Sequence, residues 1–293
     1  MKLRIFAASM LTIAATMAAN AQLLWKVTPP SGAPVSYLFG THHLAPLAVL
    51  DSVAGFNEAL ASVDKVYGEI DMSTLNQPES MAKIQQAMTA PADSTLDRLL
   101  TPLQLDSVNT VVRKFIGEAA DVAMFTKSKP AAVASLLTVF AASKIPGINP
   151  LQHIDQEIQL RAAAAGKAIG GLETLEFQSS VLYGTPLAAQ TRDLMRTVRE
   201  ILDGHAVVDM YTAYRAGRLD EMMTSDGRSR LTDEEAETLI YSRNNAWIEF
   251  LLGALPTASI MIAVGGGHLP GERGLIEQLR NHGYIVEPSI KPE

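Results

Sequence analysis

Residues 261–270 read MIAVGGGHLP, and residues 37–46 read YLFGTHHLAP. Each stretch is an apolar run followed by Gly-x-x-His, then by leucine and proline. Short apolar runs like these are typical of buried strands. Glycine lets the backbone turn sharply where a strand ends, and proline suits the first turn of a helix. The two stretches therefore predict two strand–turn–helix units, which place His43 and His268 at the exits of buried strands.

The exit of a buried strand is where ligand sites form in open α/β sheets. If the two units pack face to face, His43 and His268 meet in one cleft, which would suit a metal ion or an acid–base pair. A Gly-x-x-His motif also occurs by chance, and a histidine at a strand end is commonly a hydrogen-bonded structural residue. The repetition of the motif, with leucine and proline in step, is what favours a shared site.

The rest of the chain alternates between strand and helix patterns. A hairpin is expected over residues 22–27 and 35–39, short strands at 65–70, 168–172 and 284–287, and mostly helix over 77–140 and 186–252. Strands that alternate with helices indicate an α/β or α+β class, here rich in helix. The expected architecture is two related halves, each with one strand–GxxH–helix unit, packed around one cleft with a helical insertion or bundle between them.

The start of the chain has the pattern of a secretory signal peptide. Lys2 and Arg4 give a basic start, residues 11–19 are apolar but too few to span a bilayer, and Ala19-Asn20-Ala21 is a small-x-small cleavage signal. We therefore predict a signal peptide over 1–21 and one domain over 22–293. No later apolar run approaches the length of a transmembrane helix. The mature protein is expected to be soluble and exported, either to the periplasm or out of the cell.

Charge and cysteine content narrow the possible partners. The formal net charge of −7 becomes −9 once Lys2 and Arg4 are removed with the leader, and the basic residues are spread along the chain. This distribution argues against a nucleic-acid partner. The chain has no cysteine, which rules out disulfides and thiolate metal sites. A metal ion would need histidine and carboxylate ligands.

Ionisable residues recur where the predicted strands end. They are His43, Glu69, Glu173 and His268, with His42 and Asp71 close behind. Two histidines with one or two carboxylates suit a first-row metal ion. A carboxylate beside such an ion can also act as general base for a water molecule. Taken one at a time, each of these residues could instead have a purely structural role.

These blocks resemble the TraB/GumN family, which includes the animal TIKI proteases. The resemblance is carried, in the family's order, by residues 38–44 (LFGTHHL), 66–71 (VYGEID), 154–155 (ID), 166–167 (GK), 171–178 (GLETLEFQ), 214–220 (YRAGRLD), 243–247 (RNNAW), 264–271 (VGGGHLPG) and 283–286 (GYIV). They span nearly the whole chain after the leader. The resemblance implies a protease-like fold of two related halves and a metal-dependent protease activity, with manganese or cobalt preferred by TIKI members.

The resemblance also implies roles for individual residues. His43, His268 and Glu69 match the expected metal ligands, and Glu69, Glu173 and Arg243 match the expected catalytic groups. Which glutamate is ligand and which is base stays open. Arg243 either steadies the substrate or simply pairs with a carboxylate. The expected supporting or structural residues are His42, Asp71, Gln178, Asn244, Gly40 and Gly265.

The sequence thus predicts an exported hydrolase that depends on manganese, cobalt or zinc and acts as a peptidase on peptides or proteins. The alternative from another class is a non-catalytic binding protein that sequesters a peptide signal, haem or iron in the same cleft. A family member that has lost its activity is a third possibility.

Overall fold

A six-stranded mixed sheet is the centre of the computed structural model, which describes residues 22–32, 34–204, 206–225, 228–229 and 231–289. The strands are β1 (Leu24–Thr28), β2 (Ser36–Thr41), β3 (Lys65–Gly68), β4 (Ala168–Gly171), β5 (Thr224–Ser225), β6 (Arg228–Ser229), β7 (Ile260–Gly265) and β8 (Ile285–Pro288). The order in the sheet is β4-β3-β7-β2-β1-β8, and β5 pairs with β6 separately. Strands β4, β3, β7 and β2 are parallel, whereas β1 is antiparallel to both β2 and β8.

Helices make up most of the remaining described chain. They are α1 (Ala48–Ser52), α2 (Phe56–Ser62), α3 (Pro78–Met88), α4 (Leu96–Leu99), α5 (Pro102–Ile116), α6 (Pro130–Ala142), α7 (Ile154–Ala164), α8 (Leu175–Tyr183), α9 (Leu187–Asp203), α10 (Ala206–Arg215), α11 (Leu219–Met222), α12 (Asp233–Ala236), α13 (Ser242–Ala254) and α14 (Leu275–Asn281). Short 3₁₀ turns lie at Met72–Thr74, Val122–Phe125 and Gly266–His268, and a π turn, Glu237–Tyr241, joins α12 to α13. Local sequence explains several helix starts: a capping box formed by Thr101 and Gln104 begins α5, for example.

The two Gly-x-x-His stretches lie on neighbouring parallel strands. In the register of β2 and β7, Tyr37 lies beside Met261 and Thr41 beside Gly265. Both strands are almost entirely buried, as expected for parallel strands covered on both faces. Gly40 lets the backbone of β2 approach that of Gly266 closely, because a Cβ atom at Gly40 would lie 3.2 Å from the Cα atom of Gly266.

The two larger of three hydrophobic clusters among the described residues form the main cores of the fold. The larger one surrounds the sheet and contains the fully buried side chains of Trp247, Tyr214 and Phe39. The second lies among helices α5, α6 and α9, away from the sheet. This second core corresponds to the helical bundle expected within the chain.

The expected fold class is confirmed: the protein is mixed α/β and rich in helix, and β1 and β2 form the expected hairpin. The division into two related halves stays a prediction, as does the single domain over 22–293. The signal peptide expected over 1–21 lies outside the described residues. Within the described ranges, no helix is both long enough and apolar enough to cross a bilayer.

Candidate functional site

The carboxyl ends of the four parallel strands meet at one edge of the sheet. His43 follows β2, Glu69 follows β3, Glu173 follows β4 and His268 follows β7. Because parallel neighbours end at the same edge, side chains that are distant in the sequence come together there. Arg243, on α13, reaches the same edge and contacts three of them.

Arg243 is the centre of a buried network, with its side chain only 5% exposed. Its Nε and Nη2 atoms donate to the two carboxylate oxygens of Glu173 at 3.0 and 2.8 Å, and Nη2 also donates to Oε2 of Glu69 at 2.6 Å. Its Nη1 atom donates to the Leu239 carbonyl at 2.8 Å and to Nε2 of His268 at 3.0 Å. All five N–H groups of the guanidinium therefore have partners. Of the two roles expected for Arg243, pairing with carboxylates is the one present in this arrangement.

The π turn Glu237–Tyr241 directly precedes α13 and contains Leu239, whose carbonyl accepts from Arg243. π turns of this kind interrupt the regular ladder of helical hydrogen bonds and are frequent at functional sites. The interruption lies one turn before Arg243, at the point where the helix passes over the strand ends.

His268 is buried and held in one tautomer. Its Nδ1 atom lies 2.7 Å from Oδ1 of Asn244, whose Nδ2 atom donates to the carbonyls of His268 and Arg273. Since the Asn244 oxygen can only accept, Nδ1 of His268 carries the proton, and its Nε2 lone pair accepts from Arg243. Burial lowers the pKa of His268 to about 3, so the ring is neutral. The ring also packs against Trp247, with centroids 4.5 Å apart.

His43 has the opposite environment. Its side chain is 63% exposed, and its Nδ1 atom donates to Oδ2 of Asp155 at 2.7 Å. Thr41 donates to the other oxygen of Asp155 at 2.6 Å, which fixes the carboxylate in place. The Asp155 carboxylate, which is itself buried, raises the pKa of His43 above its usual range. The remaining ring nitrogen, Nε2, has no hydrogen-bond partner among the described residues.

Glu69 and Glu173 are the two carboxylates of the site, and Gln178 donates to both, at 2.8 and 3.1 Å. The backbone N–H of Gly265 donates to Oε1 of Glu69 at 2.8 Å. Burial by itself would raise the pKa of Glu69, but the charges of Arg243 and His43 and this N–H outweigh it and hold the pKa below its usual range. Glu69 is therefore an ionised carboxylate at neutral pH.

The other predicted supporting residues have separate positions. His42 is buried against Tyr211 and Tyr214, points away from the exposed His43, and has a pKa lowered by burial to about 4. Its Nε2 atom is buried without a hydrogen-bond partner. Asp71 caps the 3₁₀ turn that follows β3 by accepting from the backbone N–H and the hydroxyl of Ser73. It makes none of the hydrogen bonds of the site.

A metal ion would meet suitable donor chemistry here but not a suitable arrangement. His268 Nε2 and Glu69 Oε1 lie 3.8 Å apart, and the lone pair of that nitrogen is taken by Arg243. Across the described ranges, no three histidine, aspartate or glutamate side chains lie close enough together to hold one ion. The residues present therefore do not fit a resident metal ion as they stand, and coordination by His268 would require Arg243 to release it.

Asp155 and Thr41 are site residues that the sequence interpretation missed. Asp155 stands in the first turn of α7, where an acidic residue is ordinarily explained by the helix dipole. One signal was present: Asp155 lies in the Ile154-Asp155 block, which is one of those that carry the family resemblance. Its pairing with a histidine 112 positions away depends on the fold alone.

The comparisons with known proteins agree with one another. The family model for the TraB/PrgY/gumN family matches residues 23–288. The chain is 24% identical to "Metalloprotease TIKI2" of Danio rerio over 90% of its own length and 60% of the relative's, and 23% identical to "Metalloprotease TIKI homolog" of Nematostella vectensis over 92% and 67%. It thus spans about three fifths of the first of these relatives. No solved structure is a significant match. With a family model that covers nearly all of the described residues, the chain belongs to the TraB/PrgY/gumN family.

Proposed function

We propose that the protein hydrolyses peptide bonds at the edge of the sheet where His43, Glu69 and His268 lie. The observation that carries the proposal is the pair formed by His43 and Asp155. One ring nitrogen is held by a fixed carboxylate, and the other has no hydrogen-bond partner in the part of the chain that the structure describes; the side chain as a whole is exposed. A histidine oriented in this way is suited to move a proton during hydrolysis. The name of the relatives, metalloprotease, supports a peptide or protein as the substrate.

In the proposed reaction the neutral form of His43, whose share grows as the pH rises toward the raised pKa of the ring, takes a proton at Nε2 from a water molecule as the water oxygen bonds to the substrate carbonyl carbon. The ring then gives that proton to the nitrogen of the departing amine when the C–N bond breaks. Asp155 orients the ring and stabilises its charged form. Arg243 acts as a positioning residue, because it holds Glu69 and Glu173 in place and has no N–H left for a substrate.

The test is peptide hydrolysis by the purified chain from Gln22 onward. A pool of diverse peptides is incubated with a chelator or with added manganese, cobalt or zinc, cleavage sites are read by mass spectrometry, and protein-bound metal is measured in parallel. His43→Ala should lower hydrolysis by roughly 10²–10⁴-fold, while its circular dichroism spectrum shows that the variant is folded. His282→Ala is the matched control, since that exposed histidine at the end of α14 lies outside the site. Full activity in His43→Ala would refute the assignment.

A second candidate function is that of a non-catalytic protein that sequesters its ligand. It is favoured because the donors of Arg243 are already committed to groups of the protein itself. A site whose cation has all its donors committed can hold a ligand without reacting with it. The same incubation distinguishes the two: a binding protein retains an intact peptide, whereas a peptidase releases fragments.

We further propose that residues 1–21 direct export and are removed before Gln22. The basic start, short apolar core and small-x-small end support this. N-terminal mass spectrometry of exported protein tests it, and an exported form that keeps residues 1–21 would contradict it.

A further inference from the structure

Two cavities of similar size lie on either side of His43 and Glu69. The β3 cavity, about 330 Å³, lies over the end of β3, among α3, α7 and α8. The β7 cavity, about 350 Å³, lies over the ends of β2 and β7, beside α10 and α11. Both are lined by His43, Glu69, Gln178 and Leu182. These four shared residues therefore form a ridge between the two cavities. Each cavity is at the small end of the range for ligand pockets.

The outer walls of both cavities are apolar. Those of the β3 cavity include Met72, Leu75, Ile84 and Leu175. Those of the β7 cavity include Leu44, Met210, Met223 and Ile240. The ionisable side chains that line the cavities belong to the site network, apart from His153 and Tyr183 in the β3 cavity and the buried His42 in the β7 cavity. Walls of this composition bind an apolar group by the hydrophobic effect and reject a charged one.

An extended peptide can use both cavities at once. In an extended chain successive side chains point to opposite sides, about 3.3 Å apart along the backbone. If such a peptide lies across the ridge with one peptide bond at His43, the side chains of the two residues that flank this bond point into opposite cavities. The two cavities thus match two adjacent residues.

We propose that the β3 and β7 cavities are the two side-chain pockets of the substrate cleft, and that the protein selects extended peptides with large apolar residues on both sides of the bond at His43. That such a peptide is cleaved rests on the proposed function, but the same selectivity applies to a peptide that is bound and not cleaved. The peptide side chains that would occupy the two cavities are those of leucine, isoleucine, methionine and phenylalanine.

The test narrows each cavity separately. Ile84→Trp reduces the β3 cavity and Met223→Trp the β7 cavity, and cleavage preferences are then read from the peptide pool. In the wild type, large apolar residues should exceed acidic ones at least tenfold at both flanking positions, as hydrophobic pockets discriminate by roughly 10- to 200-fold. Each variant should lose this preference at one position only, a different one in each case, and favour alanine or glycine there. Met81→Trp is the control, because that side chain lies on α3, is exposed, and does not line either cavity.

Binding measurements keep the proposal testable if folding or catalysis fails. If Ile84→Trp does not fold, Ile84→Gln takes its place, and it should lower the preference for large apolar residues at the same flanking position. If the wild type cleaves nothing, the proposed function fails. Calorimetry with blocked Leu-Leu and Asp-Asp dipeptide amides then decides whether the two cavities are pockets for apolar side chains. The leucine compound should bind at least tenfold more tightly, and each tryptophan variant should weaken it. Equal binding of the two compounds, no apolar preference in cleavage, or both variants changing the same position would overturn the proposal.

Discussion

Replacing Arg243 by glutamine should destabilise the folded chain more than the loss of any surface ion pair would. The change leaves Glu69 and Glu173 as buried carboxylates, 9% and 5% exposed, without their cation. Removing one partner of a buried ion pair costs about 3–5 kcal/mol. A glutamine hydrogen bond to one carboxylate recovers about 1 kcal/mol, so a net loss of about 3 kcal/mol is expected. For a chain of this size that corresponds to a fall in melting temperature of roughly 6–12 °C.

The assay is urea denaturation at neutral pH, followed by circular dichroism, on wild type and variant. Arg161→Gln is the matched control, because Arg161 also bridges two carboxylates, those of Asp51 and Glu157, but at the partly exposed surface. Its loss should cost no more than about 1 kcal/mol. Adding Glu173→Gln to Arg243→Gln should restore about 1–3 kcal/mol, since it removes one uncompensated charge. The reasoning is refuted if the two arginine variants lose the same stability, or if the added Glu173→Gln destabilises further.

Three further outcomes are expected. Arg243→Gln should bind manganese, cobalt or zinc more tightly than the wild type, because it frees the nitrogen of the neighbouring buried histidine; calorimetry that finds equal affinities would contradict this. Asp193→Asn should stabilise the fold by up to about 1 kcal/mol above pH 6 and not below pH 4, as measured by denaturation at several pH values. Burial and a hydrogen bond to Glu235 raise the pKa of Asp193 to about 6, so its native-state penalty grows as the pH rises from its ordinary pKa of about 4 to 6; a pH-independent effect would be inconsistent with this. Gly171→Ala should cost about 1–3 kcal/mol in the same assay, since its Cβ atom would lie 2.7 to 2.9 Å from three backbone atoms. Gly253→Ala, in open space on α13, should instead stabilise by up to about 1 kcal/mol, and equal effects of the two changes would speak against the packing argument.

The sequence determined the local elements that carry the site. An apolar run that ends in glycine is recognisable without any long-range information, because strand burial and backbone freedom are properties of a few neighbouring residues. The residues that follow β2, β3, β4 and β7 could therefore be picked out as candidates, and they do meet at one edge of the sheet.

The order of the strands could not be predicted in the same way. Periodicity says that a strand is buried but not which strand lies beside it, so the pairing of β2 with β7 and of β3 with β7 emerges only from the packed sheet. The contacts of the site depend on that order. Arg243 and Glu69 are 174 positions apart, and His43 and Asp155 are 112 apart.

The two histidines show the limit of the sequence most clearly. By motif they are equivalent, and the sequence predicts one shared role for them. The tertiary structure separates them. Asn244 and Arg243 enclose His268 as a neutral, buried ring, whereas Asp155 holds His43 at the surface with one nitrogen that no described residue hydrogen-bonds. Protonation and availability are set by burial and by partners from distant segments, and those are properties that only the folded chain has.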